Sequence, residues 1–254
     1  MGRYLLKFSK ENNLKYISHL DLLRVFQRAF KRAHIRLRYS QGFNPHAKIG
    51  FGQPLSLGSE STGEYMEFET VEDRAGGEYL TALSGCMPDG IRLLSCTKLK
   101  EEGKTSLAAA VAYASYVVKF RGDGEERQVL SRRLKEYISQ ESILCEKMNK
   151  KKKIVETDIR PLILSFSEVK ADGAQNIYSM TLKTGSGGNL NPEMLVKSFC
   201  EFCGVEYLRH RWDYRRTEMY FISGERGEIQ PLTEFSVVNS ALSRRLSQTE
   251  IWPV

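Results

Sequence analysis

Long apolar runs are missing from this sequence. None of its 254 residues lies in an uncharged apolar stretch of the roughly 18 residues that a spanning helix needs, so no membrane span is expected. The N-terminal MGRYLLKFSKENN turns polar too soon for a secretory h-region. Cysteine is sparse. The five present (Cys86, Cys96, Cys145, Cys200, Cys203) are odd in number and widely scattered. That pattern argues against a disulfide framework and for a reducing, cytoplasmic setting. No residue-level identity links the two halves of the chain, so any internal repeat must be read from element order.

Positive charge is in excess, with 38 Lys and Arg against 31 Asp and Glu, a formal net charge of +7. Such a bias suits a polyanionic partner. The length allows one large or two small domains with a sizeable core.

The segment Tyr39 to Tyr65, YSQGFNPHAKIGFGQPLSLGSESTGEY, organises the rest. It holds Gly42, Gly50, Gly52, Gly58 and Gly63 together with Pro45 and Pro54. Glycine permits backbone conformations and close approaches that other residues avoid, and proline fixes its own φ. Loops longer than about 12–15 residues inside a compact domain are usually functional or disordered. Here Phe43, Ile49, Phe51, Leu55 and Leu57 supply apolar anchors, so an ordered glycine-rich loop is expected, with His46 and Lys48 near its tip.

Alternation in Arg3 to Ser9 predicts a strand. Ser18 and Asp21 form an N-terminal cap for a helix in which Leu22, Leu23, Phe26, Phe30 and Ala33 share one face. Strands are expected over Ile35 to Ser40 and Glu64 to Thr70, a helix over Glu78 to Cys86, and a strand over Ile91 to Leu99. The order β-α-β-β-α-β is the ferredoxin-like pattern. It recurs after the polar joint 100–112: strand 115–120, helix 125–139, extended segments 143–148 and 153–166, strand 176–184, helix 192–202, and a last strand or hairpin in 206–222. The expected fold is α+β, with tandem ferredoxin-like (βαββαβ) modules built on antiparallel sheets. Its expected divisions are 1–100 with the glycine-rich loop, 113–224, and a C-terminal extension, 225–254.

Candidate functional residues fall into four groups. His46 can move protons near neutral pH and Lys48 can stabilise a phosphate, which makes them the candidate catalytic pair; a binding role for the same loop stands beside that reading, and His19 could face it. The loop residues Tyr39, Gly42, Phe43, Asn44, Gly50 and Gly52 are candidate RNA contacts. Arg24, Arg28 and Arg32 form a helical stripe that either follows a phosphate backbone or is a solvated face. Lys151, Lys152 and Arg160, near Asp158, make either a phosphate-contacting arm or a basic hairpin tip. Arg209, Arg211, Arg215 and Arg216 interleave with aromatics. This suits single-stranded nucleic acid, or equally a charge-protected edge strand. Asn191 and Pro192 start a helix after GSGGNL, a place where an anion could sit or a plain junction.

Three longer signatures carry a family resemblance: SHLDLLRVFQRA (Ser18 to Ala29), YSQGFNPHAKIGFG (Tyr39 to Gly52) and PLSLGSES (Pro54 to Ser61). With KKKIVETDIRP (Lys151 to Pro161) they resemble the uncharacterised radical-SAM-linked protein family, whose members are encoded beside, or fused to, a radical SAM protein. Ala47 departs from the pattern, where proline usually follows the histidine. The resemblance implies a cytoplasmic accessory protein with a radical SAM partner and brings no established activity. The chain is not itself the radical SAM enzyme, because an iron–sulfur cluster needs three or four thiolates. Only Cys200 and Cys203 are close together, either as packing residues of a helix or as a redox or zinc pair, and a zinc site would need two more ligands. No metal or cofactor is expected.

The reading that joins these features is an RNA-binding, substrate-presenting protein for tRNA or rRNA, without catalytic activity of its own. The alternatives are a metal-independent ribonuclease or RNA-modifying enzyme using His46 and Lys48, and a protein–protein adaptor.

Overall fold

A computed structural model describes residues 2–99, 105–148, 154–172, 175–223 and 227–235. It is a mixed α/β fold with a mostly antiparallel sheet. The first half runs β1 (Gly2–Lys10), α1 (His19–Arg32), β2 (Ile49–Phe51), β3 (Glu60–Thr70), α2 (Gly76–Ser84) and β4 (Leu93–Leu99). A short α3 (Leu107–Ala110) leads to β5 (Val111–Phe120), α4 (Gly124–Ile138), β6 (Leu144–Met148), β7 (Ile154–Asp158), β8 (Ile163–Asp172), β9 (Gln175–Lys183), α5 (Pro192–Cys203), β10 (Trp212–Ser223) and β11 (Glu228–Pro231).

Local chemistry sets the helix boundaries. Ser18 Oγ accepts from the Asp21 amide at 3.1 Å and opens α1. Asp123 caps α4 through the Glu126 amide at 2.8 Å. Asn191 caps α5 through the Glu193 amide at 2.9 Å, and Gly204, with φ +71°, stops it.

The strands join in the order β4-β1-β3-β10-β5-β9-β8, with β2 added to β3 and β11 to β10. Within the first half this gives β4-β1-β3-β2, and within the second β10-β5-β9-β8. All these pairings are antiparallel except one: β10 runs parallel to β3 at Arg215–Glu60 and Arg216–Ser61, and this contact fuses the halves. β6 and β7 form a separate two-stranded ribbon inserted before β8.

Two apolar cores follow. Tyr4, Leu6 and Phe8 of β1 meet Phe26 and Phe30 of α1 in the first. Val118, Phe120, Tyr178, Phe199 and Trp212 build the second. Leu5 and Tyr65 point the other way from their neighbours and belong to the second core, so β1 and β3 are buried on both faces. At Gly63 the backbones of β3 and β10 come so close that a Cβ would lie 2.4 Å from the Thr217 carbonyl oxygen.

Two expectations need correction. Residues 35–40 form no strand: they make only isolated bridges, Leu37 to Thr70 and Tyr39 to Ala47. The strand at that place in the order is β2, inside the glycine-rich segment: Ile49–Phe51 pairs in continuous register with Phe68–Met66 of β3, while Ile35 and Leu37 pack in the first core without a ladder. The extended stretch 153–166 is broken by a helical turn at Arg160–Leu162, where Pro161 cannot continue a ladder.

Candidate functional site

The glycine-rich segment is two structures rather than one loop. Residues 38–48 close as a hairpin. Lys48 N–H donates to Arg38 C=O and Ser40 N–H to His46 C=O, both at 2.8 Å, and His46 N–H donates to Ser40 Oγ at 3.0 Å. β3 holds the hairpin from the side, through Arg38 N–H to Glu69 C=O at 2.9 Å and Glu69 N–H to Lys48 C=O at 3.0 Å. The reversal uses Gly42 at φ +137°, where nothing lies near a would-be Cβ; conformation rather than space calls for glycine. Gln41 to His46 are all exposed, and Phe43 stands wholly in solvent with Tyr39 more than half exposed beside it in sequence. An aromatic ring presented at the tip of a pinned hairpin is the central feature of the site.

The second part, from Gly52 to Gly63, crosses the seam between the halves. Gly52 is buried, its N–H donating to Tyr65 C=O at 2.9 Å and its α-carbon facing Met219. It is therefore a packing residue, away from any solvent-borne ligand. Gly50 lies against the Glu67 side chain.

His46 and Lys48 share the returning arm of the hairpin but have different environments. His46 is exposed. Lys48 Nζ sits 3.0 Å from Glu69 Oε2, which also takes Arg38 at 2.8 Å. The ammonium shares the single Glu69 carboxylate with Arg38, so the trio keeps one positive charge in excess, and it lines a cleft of about 350 Å³ with Arg3, Gly50, Glu67, Glu69 and Ser106. Arg3 pairs with Glu67 and reaches the Thr105 carbonyl. His19 packs its ring edge-on against Phe51, with centroids 5.1 Å apart, so the first turn of α1 does touch the end of this segment.

On α1 the cationic stripe divides. Arg24 pairs with Asp21 at 2.9 Å and Arg32 donates to the Cys86 carbonyl. Arg28 and Lys31 are exposed and form no ion pair among the described residues.

The arginines of the 209–216 cluster are matched, mostly by groups far away in the chain. Arg209 donates to the Trp212 and Gly58 carbonyls and stacks over Tyr214 at 4.8 Å. Arg211 pairs with Glu126 at 2.8 Å, and Arg215 with Glu60 at 2.5 Å. Arg216 is 1% exposed and grips Glu64 through two nitrogens, at 2.6 and 2.8 Å. A solvent-borne RNA cannot reach it, which corrects its place among the candidate contacts. Trp212, one of the aromatics interleaved with these cations, is buried against Phe120 at 4.5 Å.

Arg160 points its guanidinium at the Ile138, Gln140 and Ile163 carbonyls. Asp158 accepts the Ile143 and Arg160 amides, both at 2.9 Å, and these bonds hold its carboxyl below the usual carboxylate range. Lys151 and Lys152 lie outside the described residues. Cys200 and Cys203 are buried in the second core, and burial pushes their thiols up to about 12 and about 11. They are packing residues. Among the described residues no group of three His, Cys, Asp or Glu is placed to hold a metal ion, and no helix is long and apolar enough to cross a membrane.

Sequence reasoning missed the buried polar knot at the seam. Lys10 is 2% exposed, donates to the Ile17 carbonyl at 3.0 Å, and faces Glu64 and Arg216. Burial lowers its pKa, Glu64 opposes that shift, and Arg216 adds to it. Its sequence signal is nil, since a lysine ending a strand is ordinarily solvated.

Fold and site together define a mixed α/β protein whose mostly antiparallel sheet carries an aromatic-tipped hairpin with hydrogen-bonded arms. The chain belongs to a bacterial family described as uncharacterized proteins conserved in bacteria (DUF2344), whose model matches residues 3–192. No curated protein sequence matches it. Among solved structures it is similar to the archaeal box H/ACA sRNP Nop10–Cbf5 complex, at 11% identity and a TM-score of 0.41, over 85% of this chain and 47% of that one. A Cbf5–Nop10–Gar1 complex gives 11% identity and a TM-score of 0.44, over 85% and 48%. The chain thus spans about half the length of these structures.

Proposed function

We propose that this protein is a cytoplasmic RNA-binding accessory protein that presents a structured or single-stranded RNA, of the tRNA or rRNA class, to a radical SAM enzyme. Two ferredoxin-like modules, 1–100 and 113–224, carry the site, with 225–254 as an extension. The module reading is supported by the strand orders β4-β1-β3-β2 and β10-β5-β9-β8. The radical SAM partner rests on the family resemblance of the hairpin and α1 signatures.

The observation that carries RNA binding is the hairpin tip: Phe43 fully exposed and Tyr39 half exposed on a backbone locked by hydrogen bonds. Hydrogen bonds in the arms at Arg38, Ser40, His46 and Lys48 fix where the tip is presented, and a base can stack on the solvent-facing Phe43 ring there. Asn44, Gln41 and His46 flank the ring with hydrogen-bonding groups, and the uncompensated Arg28 and Lys31 supply positive charge in the same half. Binding is favoured over strand scission because Lys48, the phosphate-stabilising member of the candidate pair, is tied to Glu69.

The test is fluorescence anisotropy with tRNA and rRNA fragments across a salt series. Affinity should fall steeply with salt, and Phe43→Ala should cost about 1–3 kcal/mol, a factor of roughly 5 to 150. Salt-independent binding, or none, sinks the proposal. Co-purification with the radical SAM protein after nuclease treatment checks the partner separately.

A further inference from the structure

The helix-bearing face of the second half is packed, but its opposite face is not. Along β5, Ala114, Tyr116, Val118 and Phe120 are buried, while Tyr113, Ser115, Val117 and Lys119 alternate with them and remain partly open. On β9 the same alternation buries Asn176, Tyr178, Met180 and Leu182 and leaves Ile177, Ser179, Thr181 and Lys183 on the other side. Val117 and Ile177 belong to neither apolar core. No described element lies over them.

This face has a definite chemistry. Its floor is small and hydroxylated: Ser115 pairs with Thr181, Val117 with Ser179, and Ser167 of β8 with Ser179 from the far side. Ser115 Oγ and Thr181 Oγ1 are 2.8 Å apart, and Tyr220 from β10 joins them at 3.2 Å. Three described acids beside the floor are matched: Asp213 to Arg121, Glu60 to Arg215, Glu218 to Lys7. Two lysines are not. Lys119 and Lys183 form no ion pair among the described residues. Lys119 stands opposite Ile177 and Lys183 opposite Tyr113, six residues apart along the paired strands, or about 20 Å at roughly 3.3 Å per residue.

We propose that this uncovered face of β5 and β9 is a track for a single-stranded RNA segment a few nucleotides long. Lys119 and Lys183 meet phosphates at its two ends, and Tyr113 offers a ring to a base at the Lys183 end. The inference rests on the RNA-binding reading and deepens it by naming the strandedness of the ligand and a second contact surface. A duplex is disfavoured by geometry. An open sheet face with a central row of Ser115, Thr181, Ser179 and Ser167 between ring-bearing and cationic ends admits splayed nucleotides, whereas duplex RNA is read across a groove. Charge complementarity favours the polyanion: among the described residues Asp213, Glu60 and Glu218 are each ion-paired, while Lys119 and Lys183 form no ion pair.

The experiment measures binding of fluorescein-labelled oligouridylate and oligoadenylate to the full chain, with unlabelled duplex RNA as competitor. Wild type is compared with Lys119→Ala/Lys183→Ala. Removing two phosphate contacts should lower the slope of log K against log salt by about 1.4 for a single strand. The duplex should compete poorly. Ultraviolet crosslinking of the wild-type protein, which needs no variant, should map to peptides containing Tyr113 or Tyr220. An unchanged slope with wild-type affinity, or crosslinks confined to the 38–48 hairpin, overturns the track and leaves RNA binding at the tip intact. Absence of binding by wild type at every salt concentration overturns both.

Discussion

Among single residues, the decisive contrast is between arginines that look alike in sequence. Arg28 and Arg216 are both cationic members of basic clusters, yet one is solvated and the other is 1% exposed against Glu64. Removing one member of a buried pair strands the other charge in a low-dielectric interior. Arg216→Met should therefore cost about 3–5 kcal/mol in urea denaturation, whereas Arg28→Ala should stay within about 0.5 kcal/mol. Adding Glu64→Leu to Arg216→Met should recover little of the loss, because Glu64 is also the carboxylate facing the buried Lys10, whose ammonium would then be left without a counter-charge. If the two single substitutions proved equally mild, the seam would not depend on this pair. The cluster 209–216 was legible as a run of cations and rings. Its partners were not, since Arg215 meets Glu60 and Arg216 meets Glu64 across more than 150 positions of chain.

Among the elements, the β6–β7 ribbon is the most exposed construction, and an isolated two-stranded ribbon is marginal in water. Its base is closed by the Asp158 carboxylate, which receives the Ile143 and Arg160 amides. Those bonds depress the folded-state pKa below the unfolded value. The stabilisation is thus fully present above the ordinary aspartate range, near about pH 4. It disappears as pH falls through the depressed value. Hydrogen exchange at the Ile143 and Arg160 amides should accelerate on acidification in that window, relative to the Val118 amide in the central sheet. In Asp158→Asn the same amides should exchange with little dependence on carboxylate titration. Equal behaviour of wild type and variant would show that the carboxylate does not hold the base. Caps such as Ser18 and Asn191 could be read in advance because they act within three residues. The strand expected over 35–40 failed for the complementary reason. Alternation in IRLRYS is genuine, but β3 offers that segment only bridges while Ile49–Phe51 takes the ladder.

For the molecule as a whole, the shared sheet and shared second core couple the halves. Leu5 and Tyr65 from the first half sit in the core of the second, and Lys7 and Tyr65 both bind Glu218, at 2.6 Å each. Burial raises the Tyr65 pKa, so its hydroxyl stays protonated and donating. Calorimetry should show one cooperative transition, and two well-separated transitions would contradict that coupling. The chain alone determined the helices, their caps, the alternating strands, the strangeness of the glycine-rich segment and the packing role open to Cys200 and Cys203. All of these depend on neighbours within a few residues, where periodicity and conformational preference act. Only the tertiary structure decided which cations remain free, that the segment splits into a presented hairpin and a crossing anchored at the buried Gly52, Ser59, Ser61 and Gly63, and that Lys10 lies in the interior. Charge compensation and burial are properties of residues brought together from distant positions, and no local pattern encodes which carboxylate an arginine will meet.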